Sequence, residues 1–206
     1  MTARDRTEQA KPPEELAVSL SGPFSWPGTP DAPSVFEVEA GRLPGIYLWT
    51  VPRPEGHLVY YVGETGRRFD VRLLEHYMEH AACMYHIYSP AEFARGEKIA
   101  LWPGRYDAKD PKSVVECIAR YSKATSHVAA LTHLYRFMLA PLACEGRIRR
   151  RIEAAIARAL RAAPGLAGTF QDEGIRYVHR TADETPLECV VTSPVPLIGL
   201  PDRIWA

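Results

Sequence analysis

Two short runs rich in aromatic and β-branched residues, split by a proline-bearing turn and followed by a helical period, constrain this chain most. Gly45-Ile46-Tyr47-Leu48-Trp49-Thr50-Val51 and His57-Leu58-Val59-Tyr60-Tyr61-Val62-Gly63 have the composition of strands. Pro52-Arg53-Pro54-Glu55-Gly56 between them supplies turn residues, so the pair reads as a hairpin. From Phe69 to Ala82 the period changes. Phe69, Leu73 and Tyr77 recur every four residues beside Leu74 and Met78, the apolar stripe of an amphipathic helix.

A second strand-and-helix unit lies further on. His133 to Leu142 (HLYRFMLAPL) reads as a strand. Cys144 to Ala163 reads as a helix, with Ile148, Ile152, Ile156 and Leu160 at intervals of four and Pro164-Gly165 as its stop. Weaker signals predict a strand at Val35–Glu39, a short helix opening at Pro90, a loop over 101–106, a helix over 112–123, and short strands at 175–180 and 187–192. Residues 1–33 hold six of the 18 prolines with little periodicity and read as a flexible N-terminal arm. The order predicts an α+β fold, a small antiparallel or mixed sheet flanked by helices. The domain spans 34–172, with a helical insertion at about 84–128 and a C-terminal extension over 173–206.

Composition narrows the function. Lys plus Arg is 25 and Asp plus Glu is 25, so the formal net charge is zero and a polybasic tail protein is excluded. A local basic face is not. No apolar run is long enough to span a membrane, and the opening MTARDRTEQAKPPEE lacks an apolar leader core, which predicts a cytoplasmic protein. Cys83, Cys117, Cys144 and Cys189 are widely spaced, with no CxxC pair, which argues for reduced thiols rather than a zinc or redox site.

The chemistry-bearing residues fall inside the hairpin and its helix. Gly45-Ile46-Tyr47, then Tyr61-Val62-Gly63, then Arg72 and His76 four residues apart on one helix face, together resemble the signature of the GIY-YIG nuclease family. The resemblance covers residues 43–81 and, more loosely, 131–172. It implies a DNA endonuclease that hydrolyses phosphodiester bonds with one divalent cation, Mg²⁺ or Mn²⁺. Carried over by position, Tyr47, Tyr61, Arg72, His76 and Glu153 would be the catalytic residues and Glu153 the metal ligand. Arg72 suits a phosphoryl group because its planar fork binds two oxygens and stays charged. His76 can take or relay a proton, and Tyr47 either shares that task or orients the water.

Glu145 is the other candidate ligand, but it follows the strand too closely for the family pattern, whereas Glu153 has the expected offset. The motifs stand 13 residues apart, slightly more than is usual in the family. The chain contains no Asn, a residue many members carry after the Glu helix; Gln171 occupies that place. Arg67, Arg68, Arg149 and Arg150 are the expected DNA-backbone contacts, although each also reads as a solvated helix charge. His76 and His80 have a zinc-like spacing, but no third ligand accompanies them. The rival function is a catalytically inactive nucleic-acid-binding module of the same fold.

Overall fold

A computed structural model describes residues 12–104, 111–172 and 178–206. Strands β1 (Glu14–Ser19) and β2 (Ser21–Phe24) come first, then β3 (Gly45–Arg53) and β4 (Gly56–Thr65), the hairpin expected from the two aromatic runs. Helix α1 (Phe69–Ala81) follows directly. Next come β5 (Ile87–Tyr88), α2 (Pro90–Ala94), β6 (Ala100–Trp102) and α3 (Pro111–Leu134). The chain continues with β7 (Arg136–Pro141), α4 (Gly146–Ala162), α5 (Leu166–Phe170), β8 (Leu187–Thr192), β9 (Leu197–Ile198) and β10 (Arg203–Trp205).

The result is a mixed α+β fold. Five strands in the order β2-β7-β3-β4-β9 make the central sheet, antiparallel except at the β4–β9 edge. A second sheet, β1-β8-β10, pairs the start of the described chain in parallel with Leu187–Thr192. Alternation along β3 separates two cores. Tyr47, Trp49 and Val51 join Phe69, Leu73, Phe93, Leu131 and Phe170, from α1, α2, α3 and α5. Ile46 and Leu48 face the other way, against Ile152, Ile156 and Leu160 of α4 and Val18, Cys189 and Val191 of the second sheet.

Register is interrupted once within the hairpin. Trp49 opposes Tyr61 and Thr50 opposes Val59, so Tyr60 is an extra residue in β4. Such a bulge breaks the strict alternation of faces. Tyr60 and Tyr61, adjacent in sequence, therefore both join or border the Tyr47–Trp49 core.

Several expectations are corrected. The segment read as a loose arm supplies β1 and β2 from Glu14 onward, because Val18 and Leu20 are buried and its turn residues lie between strands. Val35–Glu39 is a turn leading into a 3₁₀ turn at Glu39–Arg42; Val35 is buried, but Ser34 bridges Ser25 in place of a ladder. The expected helix at 112–123 runs on to Leu134, taking His133 and Leu134 from the predicted strand. The loop expected at 101–106 begins as β6, has no regular structure at Pro103 and Gly104, and lies outside the described residues at 105–106, as do 175–177 of the strand expected at 175–180. Residues 178–180 have no regular structure, whereas 187–192 is β8 as expected. The expected C-terminal extension packs into both sheets. Arg151, buried in α4, fastens it by donating to the carbonyls of Thr185 at 2.8 Å and Ala206 at 2.7 Å. Among the described residues, Cys83, Cys144 and Cys189 take part in no disulfide.

Deleting residues 1–24 separates an arm from a structural element. Val18 and Leu20 are buried in the α4-side core, and each such side chain contributes about 1.5–3 kcal/mol. The truncated protein should lose about 3–6 kcal/mol in urea unfolding, where loss of a loose arm would leave the midpoint unmoved.

Candidate active site

Helical spacing places Arg72 and His76 one turn apart on α1, and β3 presents Tyr47 to them. The Tyr47 hydroxyl and His76 Nε2 are 2.8 Å apart, with both side chains buried. Gly63 makes this possible. A Cβ there would lie 2.4 Å from the Tyr47 ring, so the glycine of Tyr61-Val62-Gly63 leaves space for the phenol of Gly45-Ile46-Tyr47. The Tyr61 ring sits 6.1 Å from Tyr47 and 6.0 Å from His76.

The hydrogen bonds on the far side of His76 fix its tautomer. Tyr85 donates its hydroxyl proton to the Glu79 carboxylate, so its oxygen accepts from His76 Nδ1–H at 2.8 Å. That leaves the Nε2 lone pair facing the Tyr47 O–H. Burial, reinforced by the Arg72 charge, pushes the imidazole down to about 3, so His76 is neutral in the free protein. Burial and then the neighbouring Tyr61 push Tyr47 well above the ordinary tyrosine range, and no phenolate preforms. Tyr61 is raised to about 12 by burial and by the Glu153 charge.

Arg72 lies close enough to Tyr47 for its charge to favour the phenolate, and it donates to Glu75 at 3.1 Å. Glu153 enters from α4, on the other side of the sheet, and its Oε1 accepts the backbone N–H of Glu64 at 3.1 Å. Burial, then the Glu64 carboxylate, raise Glu153 to about 7. A half-buried acid held beside a second acid is where a divalent cation would relieve an electrostatic penalty, so the donor set fits a hard, oxygen-seeking ion. Glu64 is a carboxylate that sequence reasoning overlooked. Its place one residue after the Tyr61-Val62-Gly63 motif was the available signal. Glu79 and Tyr85 were also missed; Glu79, three residues beyond His76, was legible as a same-face neighbour. No group of three or more His, Cys, Asp or Glu suited to a metal occurs among the described residues. A site of one or two carboxylates completed by waters and phosphate lies below that count.

The structure thus gathers Tyr47, Tyr61, Arg72, His76 and Glu153 about one rim of the sheet. The other candidates are placed differently. Glu145 is exposed at the N-cap of α4, two turns from Glu153. Gln171 is buried against α4: its amide nitrogen donates to the Ala157 carbonyl at 3.3 Å and its oxygen accepts from the Arg161 N–H at 2.8 Å. It therefore anchors the chain after α5, while Asp172 next to it lines the pocket at the site. Arg149 is mostly buried, donating to Glu64 at 3.1 Å and to the Cys144 carbonyl, so it positions Glu64 instead of meeting solvent. Arg67 grips Glu75 with two bonds of 2.7 Å, and Arg68 pairs with Asp70. Both remain more than half exposed, and Arg150 is exposed on α4. His80 lies apart from His76's hydrogen-bond chain, its ring facing Trp26 and Tyr135.

The raised Glu153 makes stability fall with pH. The folded state holds its proton up to about pH 7 while the unfolded chain releases it near 4.5, so stability is lost between those values as pH rises. Glu153→Gln keeps an acceptor for the Glu64 amide and removes the charge. It should unfold with roughly 2–3 kcal/mol more resistance than the parent at pH 8 and with little difference near pH 4. Thermal melts across pH, with and without Mg²⁺, measure this; a variant weaker than the parent at pH 8 would refute the buried-acid assignment.

Comparison with models of known protein families, with curated proteins and with solved structures found no match to this chain.

Proposed function

We propose that the chain is a GIY-YIG-type, metal-dependent endonuclease that hydrolyses DNA phosphodiester bonds at the rim formed by β3, β4, α1 and α4. The observation that supports this best is the 2.8 Å contact between Tyr47 and a neutral His76 in a cluster that also brings Arg72 to Tyr47. A proton acceptor, a phosphate-binding guanidinium and a buried acid meet there, the minimum set for water attack on a phosphodiester.

In this reading Arg72 holds two non-bridging oxygens and offsets the negative charge that grows in the transition state. Tyr47 passes the proton of the attacking water: its oxygen receives one as its own hydroxyl proton moves to His76 Nε2. No free phenolate is needed, which agrees with the raised pKa of Tyr47. A bound phosphodiester beside Arg72 would counter the charge that keeps His76 deprotonated, so the imidazole becomes a better base when substrate is present. Tyr85 and Glu79 hold Nδ1–H and stabilise the imidazolium. Tyr61 orients the phosphate from the adjacent strand. Glu153, with Glu64 beside it, would hold a Mg²⁺ or Mn²⁺ ion, which supplies Lewis-acid stabilisation of the phosphate and leaving oxygen. Arg67, Arg68 and Arg150, at the edge of the site, are the candidates to track the DNA backbone.

Glu153→Ala and Arg72→Ala should each lower Mg²⁺-dependent nicking of plasmid and branched DNA at least a hundredfold while circular dichroism stays unchanged. Divalent-independent binding of the same DNA, with no cleavage by the parent under any ion, would instead favour the inactive binding module. The pairing of Arg67, Arg68 and Arg149 with carboxylates sharpens that question.

A separate variant tests the relay. Tyr85→Phe removes the acceptor for His76 Nδ1–H and should slow cleavage about tenfold or more. The acid limb of the pH–rate profile should also move to lower pH, because the imidazolium loses support. A rate drop with no movement of that limb would mean that Tyr85 serves packing alone.

A further inference from the structure

A pocket opens beside the catalytic cluster, and the five convergent side chains do not account for it. Arg72, Tyr61 and His76 form the side it shares with that cluster; Trp49, Tyr60 and Tyr135 give it aromatic walls. The bulge at Tyr60 builds this wall, since a regular strand would have turned Tyr60 and Tyr61 to opposite faces. The volume is about 90 Å³. A buried water needs roughly 10–15 Å³ of such space, so the pocket takes roughly six to nine water-sized groups, the scale of a single-ring base.

Two of its lining residues bury polar atoms that bond nothing among the described residues. Trp49 Nε1–H has no acceptor, and neither ring nitrogen of His80 has a partner, although His80 is only 1% exposed. Buried donors and acceptors are almost always satisfied, so exceptions beside a cavity mark where a ligand supplies the missing partner. Burial pushes the His80 imidazole down to about 4, so its ring is neutral, with one N–H donor and one acceptor. With the Trp49 N–H, two donors and an acceptor without partners among the described residues belong to side chains that line the pocket, just beneath its aromatic surface. The hydrogen-bonding edge of a nucleobase carries complementary groups, and its faces stack on such rings.

We propose that this pocket receives one nucleobase, of pyrimidine size, from the nucleotide whose phosphate lies against Arg72. This rests on the phosphodiesterase reading and specifies its substrate. A base can enter only out of the stack, so the cut falls beside an extrahelical or single-stranded nucleotide.

The test uses the full chain without metal, so that nothing is cleaved. Deoxycytidine and thymidine 3′,5′-bisphosphate are titrated by calorimetry and tryptophan fluorescence against 2-deoxyribose 3,5-bisphosphate, which lacks the base. At least one of the base-bearing ligands should bind tenfold or more tightly than the baseless one. His80→Phe and Trp49→Phe should each erase that difference while leaving baseless binding unchanged; Arg72→Ala should weaken all three ligands. His80→Phe keeps a ring against Trp26 and Tyr135 and removes two unpartnered nitrogens, so the free variant should melt at a higher temperature. A lower melting temperature would mean that the imidazole already has a structural partner, such as a buried water, and would overturn the proposal. Equal affinity for all three ligands would overturn the base pocket and leave the phosphate site standing. Binding of none would sink the phosphate site, and this proposal with it.

Discussion

The hydrogen bond between the Tyr47 hydroxyl and His76 Nε2 is the contact around which the site is organised. It joins the middle strand of the sheet to α1 inside an aromatic core, where an unmet polar group is expensive. One satisfied bond obliges the next. Because Tyr47 donates to Nε2, Nδ1 must carry the proton and needs an acceptor, which Tyr85 provides while donating to Glu79. Gly63 gives the phenol its space, and the short path from β4 into α1 sets His76 at its height. A change at any of these positions disturbs the same bond.

Electrostatics divide the site in two. Around His76, burial and Arg72 disfavour positive charge, so the imidazole waits as a neutral acceptor. At the sheet's other side Glu153 and Glu64 crowd two carboxylates, and burial holds Glu153 partly protonated near neutral pH. Arg149 compensates Glu64 alone. Neither arrangement serves stability, since an apolar core would be cheaper than a deprotonated imidazole beside a guanidinium or an acid beside an acid. Sites that retain such conflicts are where function is sought first.

The legible parts of the chain share a physical cause. The hairpin and α1 could be read because an aromatic and β-branched composition split by a proline-bearing turn, and then a period of about four, are set by contacts within neighbouring turns and strands. The α4 helix could be read for the same reason, from Ile148 to Leu160. β1 and β2 could not, because short strands with polar residues, or a proline in β2, become strands only when a partner far along the chain, Leu187–Thr192 or Arg136–Pro141, supplies the ladder. Val35–Glu39 misled in the opposite sense: its alternation reflects one buried valine in a turn. Gln171 and Arg149 show the same limit for single residues. Both have the chemistry of a site group, and both are used to hold backbone or a neighbouring acid in place.

Local order in the sequence determined the hairpin, the following helix and the shared face of Arg72 and His76, because each depends on spacing over only a few residues. The tertiary structure alone decided which side chains became partners. Glu153 reaches Glu64 across 89 positions. Tyr85 closes behind His76 from a segment with no readable period, and the extra residue at Tyr60 turns two adjacent tyrosines toward one pocket. Burial, tautomer and pKa follow from those long-range contacts, and a one-dimensional pattern carries no distances from which to obtain them.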